Sequence, residues 1–185
     1  MGMYTDLRGA VLLKDEYVEA IKSYLDDSIS DEDYDLLLKK YPILEQFEEI
    51  DRGGSGMFGL ELLFYPLTEK EELFTPRVEE NIWYFKAHIK DYLDPKYFVT
   101  PYEFFIKTLI PLISKEILLL ETKYEEYDDY FDQWYLDLDG LKIKRNIIKF
   151  EYDERPYGFN SVPKLNNRDM FEKFKNEHGL EIWND

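Results

Sequence analysis

Carboxylates are the side chains through which this sequence could do chemistry, and they are densest between Glu116 and Asp139. That stretch holds nine acidic residues and one basic residue, Lys123. Four of its carboxylates recur at steps of four, three and four: Glu121, Glu125, Asp128 and Asp132. On a helix this spacing forms one line. Such a line could hold a hard cation such as Mg²⁺ or Ca²⁺, or form ion pairs with a basic partner.

Other kinds of catalytic chemistry have little support in the sequence. The absence of cysteine excludes disulfides, thiolate metal sites and a cysteine nucleophile. The two histidines, His88 and His178, do not follow a Glu at the spacing of di-iron proteins. The glycine-rich run 53–57 has neither the second glycine of a hydrolase elbow nor the lysine of a phosphate-binding loop. We therefore predict no catalytic residue, no cofactor and no specific metal site.

Repulsion between the carboxylates indicates that their charge is used. Like charges three or four positions apart destabilise a helix by about 0.2–0.5 kcal/mol per pair, and Lys123 is the only compensating cation in the stretch. We predict that ten acidic residues bind a partner: Glu121, Glu125, Glu126, Asp128, Asp129, Asp132, Asp31, Glu32, Asp33 and Asp35. The rival interpretation is that this charge serves only solubility.

The charge of the whole chain favours a basic partner. Forty acidic residues face 23 Lys and Arg, which gives a net charge of −17. A second acidic run, Asp15 to Asp51, holds thirteen acidic and three basic residues. Such a field repels nucleic acid and anionic membranes and attracts basic proteins, so we predict a basic protein partner, no direct nucleic-acid contact and no membrane contact. Neither a signal peptide nor a transmembrane run is visible, and we expect a cytoplasmic protein.

The apolar residues between Glu116 and Asp139 fall at helical spacing: Ile117, Leu120, Tyr124, Tyr127, Phe131, Trp134 and Leu138. This spacing predicts one helix that buries Tyr127, Phe131 and Trp134 together on one side. A strand over 117–127 is the alternative.

Periodicity and capping signals place the other elements. Strands are predicted at Tyr4–Lys14, Met57–Tyr65 and Leu141–Tyr152. Helices are predicted at Asp15–Leu25, from Ser30, at Ile43–Ile50, from Thr75 to Leu93, at Thr100–Leu109 and after Asn167. A strand at Ile82–Tyr92 competes with the fourth of these helices.

Together these elements predict one globular domain, residues 1–185, in which a loop at 153–166 leads to a C-terminal helix and tail. The expected fold is α+β: a small, largely antiparallel sheet covered by several helices. A ferredoxin-like βαββαβ plan with extensions is the alternative. The expected function is a non-enzymatic acidic protein that neutralises a basic protein partner, by analogy with immunity proteins and DNA mimics. The alternatives are a small metal-dependent enzyme that uses clustered carboxylates, or a soluble subunit of a larger assembly.

Overall fold

The structure, a computed structural model, describes residues 4–59, 74–90, 92–124, 130–136, 143–151, 158–159 and 177. The strands are β1 (Tyr4–Leu13), β2 (Arg77–Glu79), β3 (Ile82–Lys90), β4 (Ser114–Tyr124), β5 (Tyr130–Leu136), β6 (Ile143–Glu151) and β7 (Gly158–Phe159). The helices are α1 (Asp15–Tyr24), α2 (Asp31–Lys40), α3 (Pro42–Glu49), α4 (Pro101–Phe104) and α5 (Ile110–Ile113), with a 3₁₀ turn at Ser55–Met57 and a π-helical turn at Phe105–Leu109. Within these ranges, no helix is long and apolar enough to cross a membrane.

The described strands form one sheet in the order β2-β3-β1-β4-β5-β6-β7. β1 lies inside the sheet, where Asp6 pairs with His88 of β3 on one side and with Lys123 of β4 on the other. Every described strand pair is antiparallel. The predicted α+β fold with an antiparallel sheet is therefore confirmed. The ferredoxin-like alternative needs parallel strands joined by a helix, and the described strands contain no such pair.

The helices cover one face of the sheet and bury an aromatic core against it. Phe47 of α3 and Phe105 of the π-helical turn pack with Trp83 and Phe85 of β3, and all four side chains are fully buried. The ring centroids of Phe85 and Phe105 lie 5.0 Å apart in an edge-to-face arrangement. Such pairs add about 0.5–1.5 kcal/mol to the free energy of burial.

Close packing in this core explains Gly9 in the middle of β1. A Cβ atom at Gly9 would lie 2.6 Å from the Phe85 ring and 2.8 Å from the Leu119 carbonyl oxygen. Glycine in a strand interior often marks such a close approach. The absence of a side chain at Gly9 therefore lets the Phe85 ring lie against β1.

Local signals fix the helix starts, and the helices predicted at Asp15, Ser30, Ile43 and Thr100 are confirmed. The Ser30 and Thr100 hydroxyls each accept a hydrogen bond from the backbone N–H three residues later, as N-caps do. Pro111 has no N–H with which to continue the α-helical pattern. The chain widens into the π-helical turn just before it, and the helical run still extends to Ile113.

The predicted helix from Glu116 to Asp139 is wrong, and β4 and β5 occupy its place. Four consecutive apolar residues, 117–120, are all buried in β4. On a helix they would point in every direction, whereas a strand covered on both faces buries all of them. The predicted common burial of three aromatic residues on one helix face is therefore also wrong, and Tyr127 and the side chain of Phe131 lie outside the described residues.

The helix predicted from Thr75 to Leu93 is also wrong, because β2 and β3 form there and the strand alternative is correct. Trp83, Phe85, Ala87 and Ile89 alternate along β3 and face the helix-side core, so the period is two, not 3.6. The strands predicted at Tyr4 and Leu141 are confirmed as β1 and β6.

The strand predicted at Met57–Tyr65 begins differently, with the 3₁₀ turn through Met57 and a single bridge from Phe58 to Ala87; residues 60–65 lie outside the described ranges. Within the predicted loop at 153–166, Gly158 and Phe159 form β7. The remainder of that loop and the predicted C-terminal helix lie outside the described residues, apart from Glu177.

Candidate functional site

The two described carboxylates of the predicted acidic line lie on opposite faces of the sheet. Glu121 of β4 faces away from the helices, is fully buried and lies 2.7 Å from the Arg8 guanidinium of β1. Asp132 of β5 pairs with Thr122 on the helix-covered face and accepts a 2.8 Å hydrogen bond from Arg145. Both charges are thus neutralised inside the fold. The other members of the line and its neighbours, Glu125, Glu126, Asp128 and Asp129, lie outside the described residues.

The remaining predicted carboxylates are all exposed on α2: Asp31, Glu32, Asp33 and Asp35. They belong to a larger surface, which we call the acidic layer: residues 15–51, containing α1, α2 and α3. The structure describes this whole range, and twelve of its thirteen acidic residues are exposed. Asp31, Glu32 and Asp35 form no ion pair with any residue in the described ranges. Their charge is therefore available to an external cation.

Helix α2 contributes no buried residue to the core. Its Leu36 side chain is 57% exposed, and Tyr34 attaches the helix to α3 through a 2.7 Å hydrogen bond from its hydroxyl to Glu48. An exposed leucine on a helix with so many acids leaves an apolar spot within the charged surface.

The segment from β3 to α4 displays a second apolar surface, which we call the Phe98 loop (residues 92–99). Leu93 and Phe98 are 60% and 78% exposed, and Phe98 has a φ of +53°. Aromatic residues in this left-handed region are uncommon and carry a conformational cost of about 1–2 kcal/mol. The fold therefore holds an aromatic ring in solvent at the expense of backbone strain.

The Asp94 carboxylate fixes the conformation of the Phe98 loop. It accepts hydrogen bonds from the backbone N–H groups of Asp51 at 3.0 Å, Lys96 at 2.7 Å and Tyr97 at 2.8 Å. Donors to the ionised form stabilise it, and the bonds from Asp51 and Tyr97 chiefly lower the pKa of Asp94 from its ordinary value. The loop is thus tied both to itself and to the end of α3.

The Phe98 loop and the acid-rich start of α2 lie at the same end of the acidic layer. Glu49, at the end of α3, binds the Lys96 ammonium at 2.8 Å and also accepts a hydrogen bond from Tyr97. The adjacent residue, Glu48, bonds to Tyr34 near the start of α2. These contacts place residues 31–35, 48–51 and 92–99 together. The sequence interpretation missed Phe98; the Asp94-Pro95 turn signal before it could have indicated an exposed loop.

The face of the sheet away from the helices carries a buried carboxylate–histidine pair. Asp6 of β1 is fully buried, and its Oδ1 lies 2.5 Å from Nδ1 of His88 on β3. The ring of Tyr4 stacks on His88 with centroids 4.6 Å apart and planes at 5°. Asp6 and His88 are 82 positions apart, so no local spacing could have indicated this pair; only the pairing of β1 with β3 creates it.

A cleft of about 500 Å³ opens beside this pair, lined by Tyr4, Arg52, Gly56, Met57, His88, Ile89 and Lys90. The Arg52 guanidinium stacks on Tyr92 at 4.6 Å from the ring centroid. The Lys90 ammonium lies 5.3 Å from the centroid of the Tyr4 ring. Basic side chains therefore line a cleft in a strongly acidic chain.

A second groove, of about 420 Å³, lies on the helix side beside Asp132 and Trp134. Trp134 is half-buried and donates a 3.0 Å hydrogen bond to the Thr122 hydroxyl. Burial raises the pKa of Asp132, and the hydrogen bond from Arg145 opposes that shift. The Asp132 carboxylate of β5 bonds to Arg145 of the neighbouring strand β6, and this contact helps to join the two strands.

No cluster of three or more His, Asp or Glu side chains suited to a metal ion occurs within the described part of the chain. Comparison of this sequence with known proteins gives no relative from which a role could be transferred. No protein-family model, no curated protein and no solved structure matches it.

Proposed function

We propose that this protein is a non-enzymatic binding protein that captures a basic protein partner on its acidic layer. The observation that carries the proposal is that twelve of the thirteen acidic residues between Asp15 and Asp51 are exposed, against three basic residues in the same range. Covering a cationic surface would block that surface, as immunity proteins and DNA mimics do to their targets. Inhibition of a basic partner in the cytoplasm is thus the proposed role.

Charge of one sign on one layer favours fast association. Complementary potentials raise association rates from about 10⁵–10⁶ to as much as about 10⁸–10⁹ M⁻¹s⁻¹ at low salt. At about 0.15 M ionic strength, screening acts over about 8 Å. Acids at the rim of the contact therefore govern the rate of encounter, while the groups at its centre govern dissociation.

The Phe98 loop supplies the centre of such a contact. Aromatic side chains in rigid, solvent-excluding positions dominate the binding energy of many interfaces, and order that exists before binding lowers its entropic cost. Asp94 fixes the loop that displays Phe98 and Leu93, and Glu49 of α3 contacts the same loop through Lys96 and Tyr97; a partner that covers the two exposed side chains would exclude solvent from them. The partner that fits has an apolar pocket ringed by Arg and Lys. Solubility alone accounts for the acids but gives no reason for a strained, exposed phenylalanine.

Charge reversal tests the proposal. A pull-down from the native host, followed by mass spectrometry, identifies candidates, and binding kinetics are then measured with each purified candidate. Reversal of Asp31, Glu32 and Asp35 to Lys should slow association at least about tenfold at about 50 mM salt and have less effect at about 500 mM. Asp33 is left intact because its backbone N–H and carboxylate bond to the Ser30 cap.

A control reverses Glu79, Glu80 and Glu103, which adds the same charge outside the acidic layer and also breaks the ion pairs of Glu79 with Arg77 and of Glu103 with Lys107. Thermal melts of both triple variants establish that they fold. If the two triple variants slow association equally, or if the purified partner is acidic, the proposal is wrong.

A further variant tests the second predicted set of acids. Reversal of Glu125, Glu126, Asp128 and Asp129 shows whether that set shares the interface. A solubility role predicts that every variant binds like wild type.

A further inference from the structure

The cleft beside Asp6 and His88 collects basic groups in a chain whose net charge is −17. Arg52, Lys90 and His88 line it, and none of its described lining residues is a carboxylate. Neither Arg52 nor Lys90 forms an ion pair with any residue that the structure describes. Because the chain has 40 acidic residues for 23 basic ones, most cations could find a carboxylate nearby. Arg52 and Lys90 both line this cleft, and each contacts an aromatic ring rather than a carboxylate. This arrangement indicates a site for an external anion.

These cations are held in position before any ligand arrives. The Arg52 guanidinium stacks on Tyr92, and the Lys90 ammonium lies beside the Tyr4 ring. Tyr4 itself stacks on His88, whose Nδ1 is fixed by the buried Asp6 carboxylate. Cation–π contacts orient a charge without neutralising it. The charges therefore remain able to bind an anion, and little side-chain entropy is lost when they do.

The glycine-rich segment Arg52–Gly56 contributes Arg52 and Gly56 to the lining of the cleft. Arg52 has a φ of +61° and Gly54 a φ of +76°, so the backbone turns sharply at this point. The Ser55 N–H bonds to Glu48 at 2.7 Å, which ties the segment to α3. A Cβ atom at Gly56 would meet nothing within 4 Å, so the cleft is open to solvent at that residue. This sharp turn thus places Arg52 in the lining of the cleft.

We propose that this cleft binds a small organic oxyanion, either a phosphate monoester or an ionised carboxylic acid, between Arg52 and Lys90, with the Tyr4 ring beside its apolar part. Arginine and lysine bind oxyanions through charge-assisted hydrogen bonds. The volume, about 500 Å³, is in the range of small-molecule sites, about 300–1,000 Å³, and exceeds what an inorganic phosphate fills. The cleft borders the acidic layer and the Phe98 loop at Arg52 and Tyr92, but anion binding there does not require the proposed protein partner.

Phenyl phosphate, benzoate and inorganic phosphate are the probes, with phenol as the neutral control. Titration of the ¹⁵N-labelled protein should give saturable amide shifts at Tyr4, Gly56 and Lys90, with phenyl phosphate binding more tightly than inorganic phosphate. Phenol should leave these amides unshifted. Comparing phenyl phosphate with benzoate distinguishes a phosphate site from a carboxylate site.

Arg52→Gln and Lys90→Gln should each weaken phenyl phosphate binding by about tenfold or more, as expected for loss of one charge-assisted bond. The matched control is Lys39→Gln with Lys40→Gln, which removes positive charge from the exposed end of α2 and should change binding less than about twofold. The proposal is overturned if the cleft amides show no saturable shift up to about 10 mM probe, or if the control variant weakens binding as much as the cleft variants do.

Discussion

The carboxylates of the sheet and those of the acidic layer are the same chemical groups in two different situations. Glu121 and Asp6 are fully buried and bonded to Arg8 and His88, so both carboxylates already have partners within the fold. Asp31 and its neighbours on α2 are exposed and form no ion pair with a described residue. Acid content alone therefore does not locate a binding surface; the local partners of each carboxylate do.

The largest effect should come from removing a buried carboxylate. Glu121→Ala removes the carboxylate that lies 2.7 Å from the Arg8 guanidinium, whose side chain is 13% exposed, and we expect a loss of about 3–5 kcal/mol in the free energy of unfolding. Asp31→Ala on the exposed layer should change it by about 0.5 kcal/mol or less. Urea unfolding measures both variants.

The double variant Arg8→Leu with Glu121→Leu sharpens this result. Replacing a buried ion pair by apolar groups is often close to neutral, so this variant should recover much of the stability that Glu121→Ala loses. A Glu121→Ala variant as stable as wild type would show that the Glu121–Arg8 contact does not hold β4 to β1.

The next largest loss of stability should come from overpacking the helix-covered face of the sheet. Gly9→Ala introduces a Cβ atom 2.6 Å from Phe85 and 2.8 Å from a backbone oxygen, and overpacking of this kind costs about 1–3 kcal/mol. Unfolding of Gly9→Ala measures the cost, and Gly56→Ala is the control because its Cβ meets nothing. Equal stability of the two variants would contradict the close packing of Phe85 on β1.

The sheet and the helices also differ in how far the sequence predicts them. Ser30 and Thr100 are local signals, and they predicted the starts of α2 and α4, because a cap acts within one helical turn. The apolar spacing in 116–139 and 75–93 fitted both a helix and a strand, and only pairing with β1 decides between them. Arg8 and Glu121 are 113 positions apart, so a sequence without its sheet register cannot show that Glu121 is neutralised.

A pH titration separates a bonded carboxylate from an exposed one. The pKa of Asp94 is lowered by its hydrogen bonds from the backbone of Asp51 and Tyr97. A lowered folded-state pKa contributes stability that is present above the unfolded value, about 3.9, and is lost as pH falls through the folded value. Asp94→Asn should therefore be less stable than wild type at pH 7 and lose less stability below about pH 4. Asp31→Asn should follow the wild-type acid profile; urea unfolding at several pH values tests both.

The change in stability expected at Phe98 is small, but this residue is the most informative about function. Phe98→Gly removes the left-handed strain of about 1–2 kcal/mol and adds about 0.5–1 kcal/mol of backbone entropy cost, so the variant should match wild type or be more stable by about 1 kcal/mol. If the Phe98 ring is the centre of the contact with a basic partner, the same change should accelerate dissociation, because truncation of a central aromatic costs about 2 kcal/mol or more of binding energy. Phe98→Asn keeps a side chain that tolerates this φ and should also dissociate faster. A structural role for the ring predicts the reverse: lower stability and unchanged dissociation. Unfolding and dissociation rates measured on the same two variants therefore decide whether the fold holds Phe98 in solvent for a partner.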